Sequence, residues 1–321
     1  MPNKILITRE IPDKGMALLE NFDTKVLGEG VPERSELLEA VEGVSAVLST
    51  VTEKMDAEVM DAAGEDLKVI ANMAVGYDNV DVDAATERNI VVANTPGVLD
   101  ETTADTAFML LLAAARRLGE GERMLRAGKW DAWGPKQLIG PDVFGKKLGI
   151  VGFGRIGQAV AKRARGFGMG IFYNARSRKK DAEKELDARR LDLDELLREC
   201  DFVSVHTPLS DETHHLVGER ELSLMKPEAV LVNTSRGPVV DEAALADALE
   251  SKRIFAAGLD VYEEEPSVHP RLLELENVVL APHIGSASIE TRGKMAELAA
   301  KNIAAVLRGE TPPNPVNPEA L

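Results

Sequence analysis

The chain has 321 residues, and its 38 Lys and Arg against 54 Asp and Glu give a net charge of −16 at neutral pH. Such acidity argues against nucleic acid and anionic membranes as partners, because both require a basic surface on the protein. With 44% hydrophobic and 29% charged residues the composition is typical of a globular protein, and the length predicts two domains.

The N-terminal sequence MPNKILITRE lacks the apolar core and cleavage site of a signal peptide. The longest apolar run, Ala107–Ala115, is far shorter than the roughly 20 residues that a membrane-spanning helix needs. We therefore expect a cytoplasmic protein without a membrane anchor.

Short apolar runs alternate with helix-like segments along the whole chain. The predicted strands of the first part are Lys4–Thr8, Val44–Ser49, Leu67–Asn72 and Ile90–Asn94. Those of the later part are Leu148–Gly152, Gly170–Asn174, Phe202–His206, Ala229–Asn233, Ala256–Asp260 and Val278–Pro282. Most of these runs are continuously apolar, which is typical of parallel strands covered on both faces. Alternating strands and helices predict an α/β fold.

Two long helices divide the pattern. The first is predicted from Thr102 to about Arg126, with Asp100 and Thr102 able to cap its start, and the second from about Ser286 to Leu307. Six predicted strands lie between them, which is the number in a full dinucleotide-binding sheet. We therefore expect one domain at 99–286, and a second, discontinuous domain formed by 1–98 and 287–321.

A glycine-rich turn, Gly152-Phe-Gly154-Arg-Ile-Gly157, follows a predicted strand and precedes the helix-like stretch Gln158–Phe167. In that context the first glycine permits the turn, the second lets a pyrophosphate approach, and the third lets the helix pack against the strand. The helix N-terminus adds free N–H groups and a partial positive charge. The pattern predicts a dinucleotide site; the alternative is a glycine-rich turn without a ligand.

The next predicted strand ends at Asn174, and Arg176, Ser177 and Arg178 follow it. NAD-specific sites usually carry a carboxylate at this strand end, which would repel a 2′-phosphate, whereas Asn174 is neutral. The arginines could pair with that phosphate. We predict that NADP(H) is preferred and NAD(H) possible; the alternative is a solvated basic turn.

Reactive side chains follow the other strands of the later part. His206–Pro208, Thr234–Gly237, Asp260 and His283 come at or just after strand ends, and Glu265 lies shortly beyond Asp260. Alone, each has an ordinary interpretation, such as a surface arginine, a solvated acidic run at Glu263–Glu265 or a loop histidine. Because ligands bind beyond the carboxyl ends of parallel strands, their coincidence predicts a site.

These residue types suit hydride transfer to a ketone. Negative charge builds on the carbonyl oxygen, and a protonated histidine can donate a proton to it. A neighbouring carboxylate would orient the imidazole and favour its charged form, and an arginine fork would bind a substrate carboxylate. No metal is expected, because the histidines show no spacing typical of a metal motif.

Together these motifs resemble the D-isomer-specific 2-hydroxyacid dehydrogenase family along nearly the whole chain. The matching segments are Val75–Asp81, Thr102–Asp105, Gly152–Gly157, Val232–Gly237, Gly258–Val261 and Ala281–Ser286. Within the family, His283–Ala287 and the spacing of Trp130 and Trp133 resemble the glyoxylate/hydroxypyruvate reductase branch. The resemblance implies a Rossmann domain, a smaller flavodoxin-like substrate domain and two doubly wound parallel sheets.

The resemblance also implies roles for individual residues. Arg236 would bind the substrate carboxylate and carbonyl, while His283, paired with Glu265, would act as acid in reduction and base in oxidation. Val75 and Gly76 would offer backbone N–H groups to the carboxylate. With the residues of the turn and strand ends, the expected cofactor-binding set is Thr103, Gly152, Gly154, Arg155, Ile156, Gly157, Asn174, Arg176, Ser177, Arg178, His206, Thr207, Pro208, Thr213, Thr234, Ser235, Asp260, His283 and Gly285.

The family is usually dimeric through the Thr102 helix and the loop after it, and Trp133 would reach the partner's site; the alternative is that Trp133 only packs in its loop. The expected reaction reduces glyoxylate or hydroxypyruvate to glycolate or D-glycerate. Two alternatives stay open: another D-2-hydroxyacid dehydrogenase, such as a short phosphoglycerate dehydrogenase, or a nucleotide-sensing protein like the family's transcriptional corepressors.

Overall fold

The computed structural model describes residues 3–321 and divides into two compact units. The first unit contains the residues up to Leu99 together with Ala287–Leu321, and the second contains Asp100–Ser286. Among residues 3–321, no helix has both the length and the apolarity needed to cross a bilayer.

The first unit is a five-stranded parallel sheet with helices between its strands. Its elements are β1 (Lys4–Ile7), α1 (Asp13–Leu19), β2 (Asp23–Val26), α2 (Arg34–Ala40), β3 (Ala46–Ser49), α3 (Ala57–Ala63), β4 (Val69–Asn72), α4 (Val82–Glu87) and β5 (Val91–Ala93). The strand order is β2-β1-β3-β4-β5, and every pair is parallel. This is the flavodoxin-like order, as predicted.

The second unit is a seven-stranded sheet. Its elements are α5 (Asp100–Ala115), α6 (Leu118–Arg126), β6 (Lys147–Val151), α7 (Arg155–Gly166), β7 (Gly170–Asn174), α8 (Lys180–Leu186), β8 (Ala188–Arg190), α9 (Leu193–Glu199), β9 (Phe202–Val205), α10 (Glu219–Leu224), β10 (Val230–Asn233), α11 (Glu242–Glu250), β11 (Ala256–Leu259), α12 (Pro270–Glu274) and β12 (Val278–Leu280). The order β12-β11-β10-β9-β6-β7-β8, all parallel, contains the Rossmann arrangement with one further strand. The last helix, α13 (Ile289–Leu307), belongs to the first unit.

Both sheets contain a strand that the sequence analysis missed. The strand β2 reads DTKV and β8 reads ARR, and their charged side chains are largely exposed. Each lies at an edge of its sheet. Edge strands are commonly short and charged, which protects them from pairing with other chains. Six strands were predicted in the later sheet, and this number was wrong because it omitted β8.

The predicted single helix from Thr102 to Arg126 is two helices. Arg117 has φ 51°, and this left-handed residue separates α5 from α6. The helix α5 begins at Asp100, so Asp100 and Thr102 lie in its first turn rather than before it. The last helix begins at Ile289, later than predicted, and the Oγ atom of Ser288 accepts the Thr291 N–H at 3.1 Å.

The core of the second unit explains its continuously apolar strands. Along β10, Val230 and Val232 pack into one apolar cluster and Leu231 into a second, and all three are fully buried. Because successive strand residues point to opposite faces, a sheet covered on both sides needs apolar residues at each position. Gly258 in β11 lets α5 approach closely: a Cβ atom there would lie 2.9 Å from the Leu110 Cβ.

Candidate active site

The predicted site residues of the second unit lie beyond the carboxyl ends of its parallel strands. The glycine turn follows β6, and His206–Pro208 follows β9, its neighbour in the sheet. The strand order reverses between β6 and β9, which is where ligands bind in such sheets. Thr234–Arg236, Asp260 and His283 follow β10, β11 and β12 at the same edge.

The three glycines of the turn have different packing. Gly152 has φ 94°, and a Cβ atom there would lie 2.5 Å from the His206 carbonyl oxygen. A Cβ atom at Gly157 would lie 2.3 Å from the Gly152 carbonyl oxygen. At Gly154, by contrast, the position of a Cβ atom has no neighbour within 4 Å. The outer glycines thus form the turn, and the middle one leaves its backbone open to a ligand.

The helix α7 begins directly at this turn. Gly154 occupies the N-cap position, and no side chain caps the helix there. The first-turn N–H groups of Arg155, Ile156 and Gly157 therefore have no side-chain acceptor at the cap, and the helix dipole adds partial positive charge. These properties suit the pyrophosphate of a dinucleotide.

Several buried polar atoms along the same edge have no hydrogen-bond partner within residues 3–321. They are the hydroxyl oxygens of Thr207 and Thr234 and the Nδ1 atom of His206. Burial lowers the pKa of His206 to about 3, so its imidazole is neutral. Buried polar atoms are usually paired. These atoms could bond with a nicotinamide dinucleotide, so the residues present fit this cofactor.

The turn after β7 contains the residues expected at the 2′-position of the cofactor ribose. Asn174 donates from Nδ2 to the Leu191 carbonyl at 3.0 Å. Arg178 is paired with Glu183 at 2.9 Å, and Glu183 also accepts from the Tyr173 hydroxyl at 2.6 Å. Arg176 and Ser177 are exposed, and within residues 3–321 the Arg176 guanidinium makes no hydrogen bond or ion pair. Only one of the two predicted arginines is therefore unpaired.

Thr213 closes the loop that starts at Pro208. Its hydroxyl donates to the Pro208 carbonyl at 2.7 Å and accepts the Ser210 N–H at 2.8 Å. Pro208 is exposed and Thr207 is half-buried. Thr213 thus supports the loop, while its contact with the cofactor stays a prediction.

His283 and Glu265 form a hydrogen-bonded pair. The Nδ1 atom of His283 lies 2.7 Å from one carboxylate oxygen of Glu265, and the other oxygen accepts the Tyr262 N–H at 3.1 Å. Burial raises the pKa of Glu265, but the hydrogen bond and charge of His283, the Tyr262 N–H and the charge of Arg236 together bring it below the usual value. The carboxylate therefore stays ionised at lower pH than an exposed glutamate. Because Nδ1 is occupied, only Nε2 of His283 is available for a substrate.

Asp260 holds the loop that carries His283. Its two carboxylate oxygens accept the N–H groups of Ile284 and Gly285, each at 2.7 Å, and its backbone carbonyl accepts the His283 N–H at 2.9 Å. Burial raises the pKa of Asp260. A Cβ atom at Gly285 would lie 3.5 Å from the Thr103 Cγ2, so Thr103 of α5 borders this loop. Asp260 is thus a structural support, and its contact with the cofactor stays a prediction.

Arg236 is held by the short segment that follows β10. Asn233 is buried; its Nδ2 donates to the Arg236 carbonyl at 2.9 Å and its Oδ1 accepts from the Ser235 N–H and hydroxyl. The Arg236 guanidinium donates to the Ser235 carbonyl at 3.0 Å. At Gly237 a Cβ atom would lie 1.9 Å from the Tyr262 carbonyl carbon. Only glycine permits this contact, which brings the Arg236 and Glu265 loops together.

The Glu265 loop is anchored by Glu242 and Glu263, which were not predicted as site residues. Glu242 is buried, and its carboxylate accepts the N–H groups of Glu263 at 2.8 Å and His269 at 3.3 Å. Glu263 in turn accepts the Glu242 N–H at 2.7 Å and lies 3.2 Å from Nε2 of His215. The acidic run is therefore partly structural rather than simply solvated. No local pattern marks Glu242, because its partners come from distant segments.

Val75 and Gly76 belong to the first unit, in the loop after β4. Asn94 donates from Nδ2 to the Val75 carbonyl at 2.8 Å, and Asn72 donates likewise to the Gly76 carbonyl at 2.9 Å. The backbone N–H groups of Val75 and Gly76 donate to no acceptor within residues 3–321. Two consecutive unpaired amides can bind an anion.

Trp133 is 79% exposed, in the segment between α6 and β6. Other large apolar side chains of α6 and this segment are also exposed: Leu118, Leu125, Trp130, Ile139 and Phe144. Across residues 3–321, no group of three or more His, Cys, Asp and Glu side chains is arranged to hold a metal ion.

The second unit is a Rossmann sheet with an open glycine turn. At the same edge it carries a histidine–carboxylate pair and an arginine. This combination defines a dehydrogenase that uses a nicotinamide dinucleotide.

The chain belongs to the D-isomer-specific 2-hydroxyacid dehydrogenase family, as the sequence motifs predicted. Residues 108–285 match the family described as "D-isomer specific 2-hydroxyacid dehydrogenase, NAD binding domain". A glyoxylate reductase of Thermococcus litoralis is 53% identical over 100% of this chain and 98% of its own length.

Solved structures of related proteins have the same fold. A glyoxylate reductase from Paecilomyes thermophila has a TM-score of 0.87 at 37% identity, covering 100% of this chain and 99% of its own. An NADPH-dependent glyoxylate/hydroxypyruvate reductase from Sinorhizobium meliloti, in complex with NADP and malonate, has a TM-score of 0.86 at 35% identity, covering 100% of this chain and 98% of its own.

Proposed function

We propose that this protein reduces glyoxylate and hydroxypyruvate to glycolate and D-glycerate with NAD(P)H. The observation that carries the proposal is the His283–Glu265 hydrogen bond of 2.7 Å in the unit that contains the glycine turn. The glyoxylate reductases among the relatives support the choice of substrate. In this proposal Asp100–Ser286 binds the cofactor, and the unit formed by the two ends of the chain contributes substrate contacts.

The bound nicotinamide supplies the hydride. His283 donates a proton from Nε2 to the carbonyl oxygen, on which negative charge develops, and Glu265 stabilises the imidazolium before the transfer. Arg236 binds the substrate carboxylate and carbonyl through its planar fork, and the Val75 and Gly76 amides bind the carboxylate. Oxidation uses the same groups, with His283 as the base.

The test is a substrate panel for the purified protein. NADPH and NADH consumption is measured with glyoxylate, hydroxypyruvate, pyruvate and 3-phosphohydroxypyruvate. The proposal expects the highest kcat/KM with glyoxylate or hydroxypyruvate. A clear preference for the phosphorylated acid would instead identify a phosphoglycerate dehydrogenase. Tight cofactor binding without turnover of any 2-oxo acid would identify a nucleotide-sensing protein.

We also propose that NADPH is preferred, and that Arg176 is the main contact for the 2′-phosphate. Arg176→Ala should weaken NADPH binding about 10- to 100-fold, because a charge-assisted hydrogen bond is lost, and should leave NADH binding unchanged. Fluorescence titration measures both dissociation constants, and Arg189→Ala is the control, since Arg189 is a similarly exposed arginine in β8. An equal loss for NADH, or no loss for NADPH, would contradict the assignment.

The exposed apolar side chains of α6 and the following segment support a homodimer in which Trp133 reaches the partner's site. Large exposed apolar patches commonly mark interfaces. We expect a mass near twice 34.7 kDa by light scattering, and a monomer for Ile139→Asp/Phe144→Asp. Ile289→Asp is the control, because Ile289 is 90% exposed but lies in the other unit. A monomeric wild type would refute the dimer.

A further inference from the structure

Two consecutive peptide groups in the loop after β4 accept hydrogen bonds from Asn94 and Thr95, the two residues that follow β5. The Thr95 N–H donates to the Ala74 carbonyl at 2.7 Å, and Asn94 Nδ2 donates to the Val75 carbonyl at 2.8 Å. In a trans peptide the carbonyl and the following N–H point in opposite directions. Both carbonyls point toward residues 94–95, so the N–H groups of Val75 and Gly76 point away from them.

Different kinds of group hold the two carbonyls. The Ala74 carbonyl is held by a backbone N–H, which any residue except proline supplies at position 95. The Val75 carbonyl is held by a side chain, so the direction of the Gly76 N–H depends on the identity of residue 94. Asn72 is fully buried, and its side chain donates to the next carbonyl, that of Gly76, at 2.9 Å. This hydrogen bond limits rotation of the loop on the C-terminal side of Gly76.

Asn94 is itself fixed within the same unit. Its N–H donates to the Asn314 carbonyl at 3.3 Å, and its carbonyl accepts from Nδ2 of Asn302 in α13 at 3.2 Å. The Asn94 side chain therefore extends from a backbone that is tied to the C-terminal segment. A donor fixed in this way can restrict the peptide group that it contacts.

We propose that Asn94 is a positioning residue: its side-chain amide orients the Gly76 N–H toward the carboxylate of the 2-oxo acid substrate. The inference rests on the proposed function, because that function supplies the carboxylate. The Gly76 N–H is half of the amide pair that would bind this anion. Without the Asn94 donor, the peptide between Val75 and Gly76 can rotate, and the pair no longer points in one direction.

The experiment replaces Asn94 with leucine, which is similar in size and has no donor, and separately with serine. The KM for glyoxylate should rise about 10-fold or more, because the Gly76 N–H no longer donates reliably to the charged carboxylate of the substrate. The kcat should stay within about 3-fold of wild type. Oxamate is a non-reducible analogue of the substrate. Its dissociation constant, measured with the NADPH-loaded protein, should rise in parallel with the KM for glyoxylate. The dissociation constant of NADPH should not change.

The matched control is Asn277→Leu. Asn277 is also a half-buried asparagine whose Nδ2 donates to loop carbonyls, those of Leu249 and Phe255, but it lies in the second unit. Its replacement should lower the melting temperature to a similar degree and leave the KM unchanged. A KM within about 2-fold of wild type in folded Asn94 variants, or an equal loss of NADPH affinity, would overturn the inference.

Two further outcomes separate the inference from the proposed function. If the wild type reduces no 2-oxo acid, the proposed function fails, and oxamate binding alone then decides the role of Asn94. Hydrogen exchange of the wild-type protein needs no variant: oxamate should slow exchange of the Gly76 amide. An unchanged rate at Gly76 would overturn the inference even if neither Asn94 variant folds.

Discussion

Replacing His283 with asparagine should lower kcat for 2-oxo acid reduction about 10²- to 10⁴-fold, which is the usual contribution of a general acid. Asparagine cannot supply the proton that the carbonyl oxygen needs. His283 has φ 52°, a left-handed conformation that asparagine adopts more readily than most residues, so this variant should disturb the loop less than alanine would. Steady-state kinetics with saturating NADPH provides the measurement.

The dissociation constant of NADPH is measured for the same variant, because His283 is also among the residues expected to contact the cofactor, and a change in cofactor binding must be separated from a loss of proton transfer. Glu265→Gln should also lower kcat, because a neutral amide no longer stabilises the imidazolium. His214→Asn, an exposed loop histidine, should behave as wild type. Wild-type kcat in His283→Asn would remove this residue from the chemistry.

Replacing Arg236 with lysine should lower kcat/KM about 10²-fold, because lysine keeps the charge but cannot reproduce the planar fork that binds a carboxylate. The structure supports a specific orientation, since the guanidinium donates to the Ser235 carbonyl at 3.0 Å and its charge helps to lower the pKa of Glu265. Initial-rate measurements over a range of glyoxylate concentrations give the loss.

Arg220→Lys is the comparison variant for Arg236. Arg220 forms an exposed ion pair with Asp194 at 2.9 Å, and surface pairs of this kind contribute little to stability. Its replacement should leave kcat/KM unchanged. If Arg236→Lys loses NADPH affinity as strongly as substrate affinity, Arg236 acts on the cofactor side rather than on the carboxylate.

The buried part of the fold could be predicted because its strands are uniformly apolar. The run Val230–Val232 is fully buried, and a parallel sheet with helices on both faces requires that composition. The edge strands β2 and β8 could not be predicted in this way, since charged side chains and a length of three or four residues look like loop. Nor does a local signal mark the break at Arg117, because left-handed turns usually involve glycine or asparagine.

The candidate site could be predicted in part. The rule of strand ends identified His283, Glu265 and Arg236, and the structure pairs the first two directly. It could not identify Asn233, Glu242 or Asn94, whose roles depend on hydrogen bonds to particular carbonyls and N–H groups. Nor could the sequence show that Arg178 forms an ion pair with Glu183, because that pair depends on how α8 is placed after the turn.

The first unit contains residues from two distant parts of the sequence, and this affects how it folds during translation. The helix α13 packs on β3, β4 and α1, and a Cβ atom at Gly15 would lie 2.9 Å from the Ala296 Cβ. During translation the contiguous second unit can fold as soon as it has emerged from the exit tunnel, whereas the N-terminal sheet and α1 gain their contacts with α13 only later. Until α13 has emerged, therefore, the nascent chain leaves exposed the apolar surface that α13 covers in the folded unit.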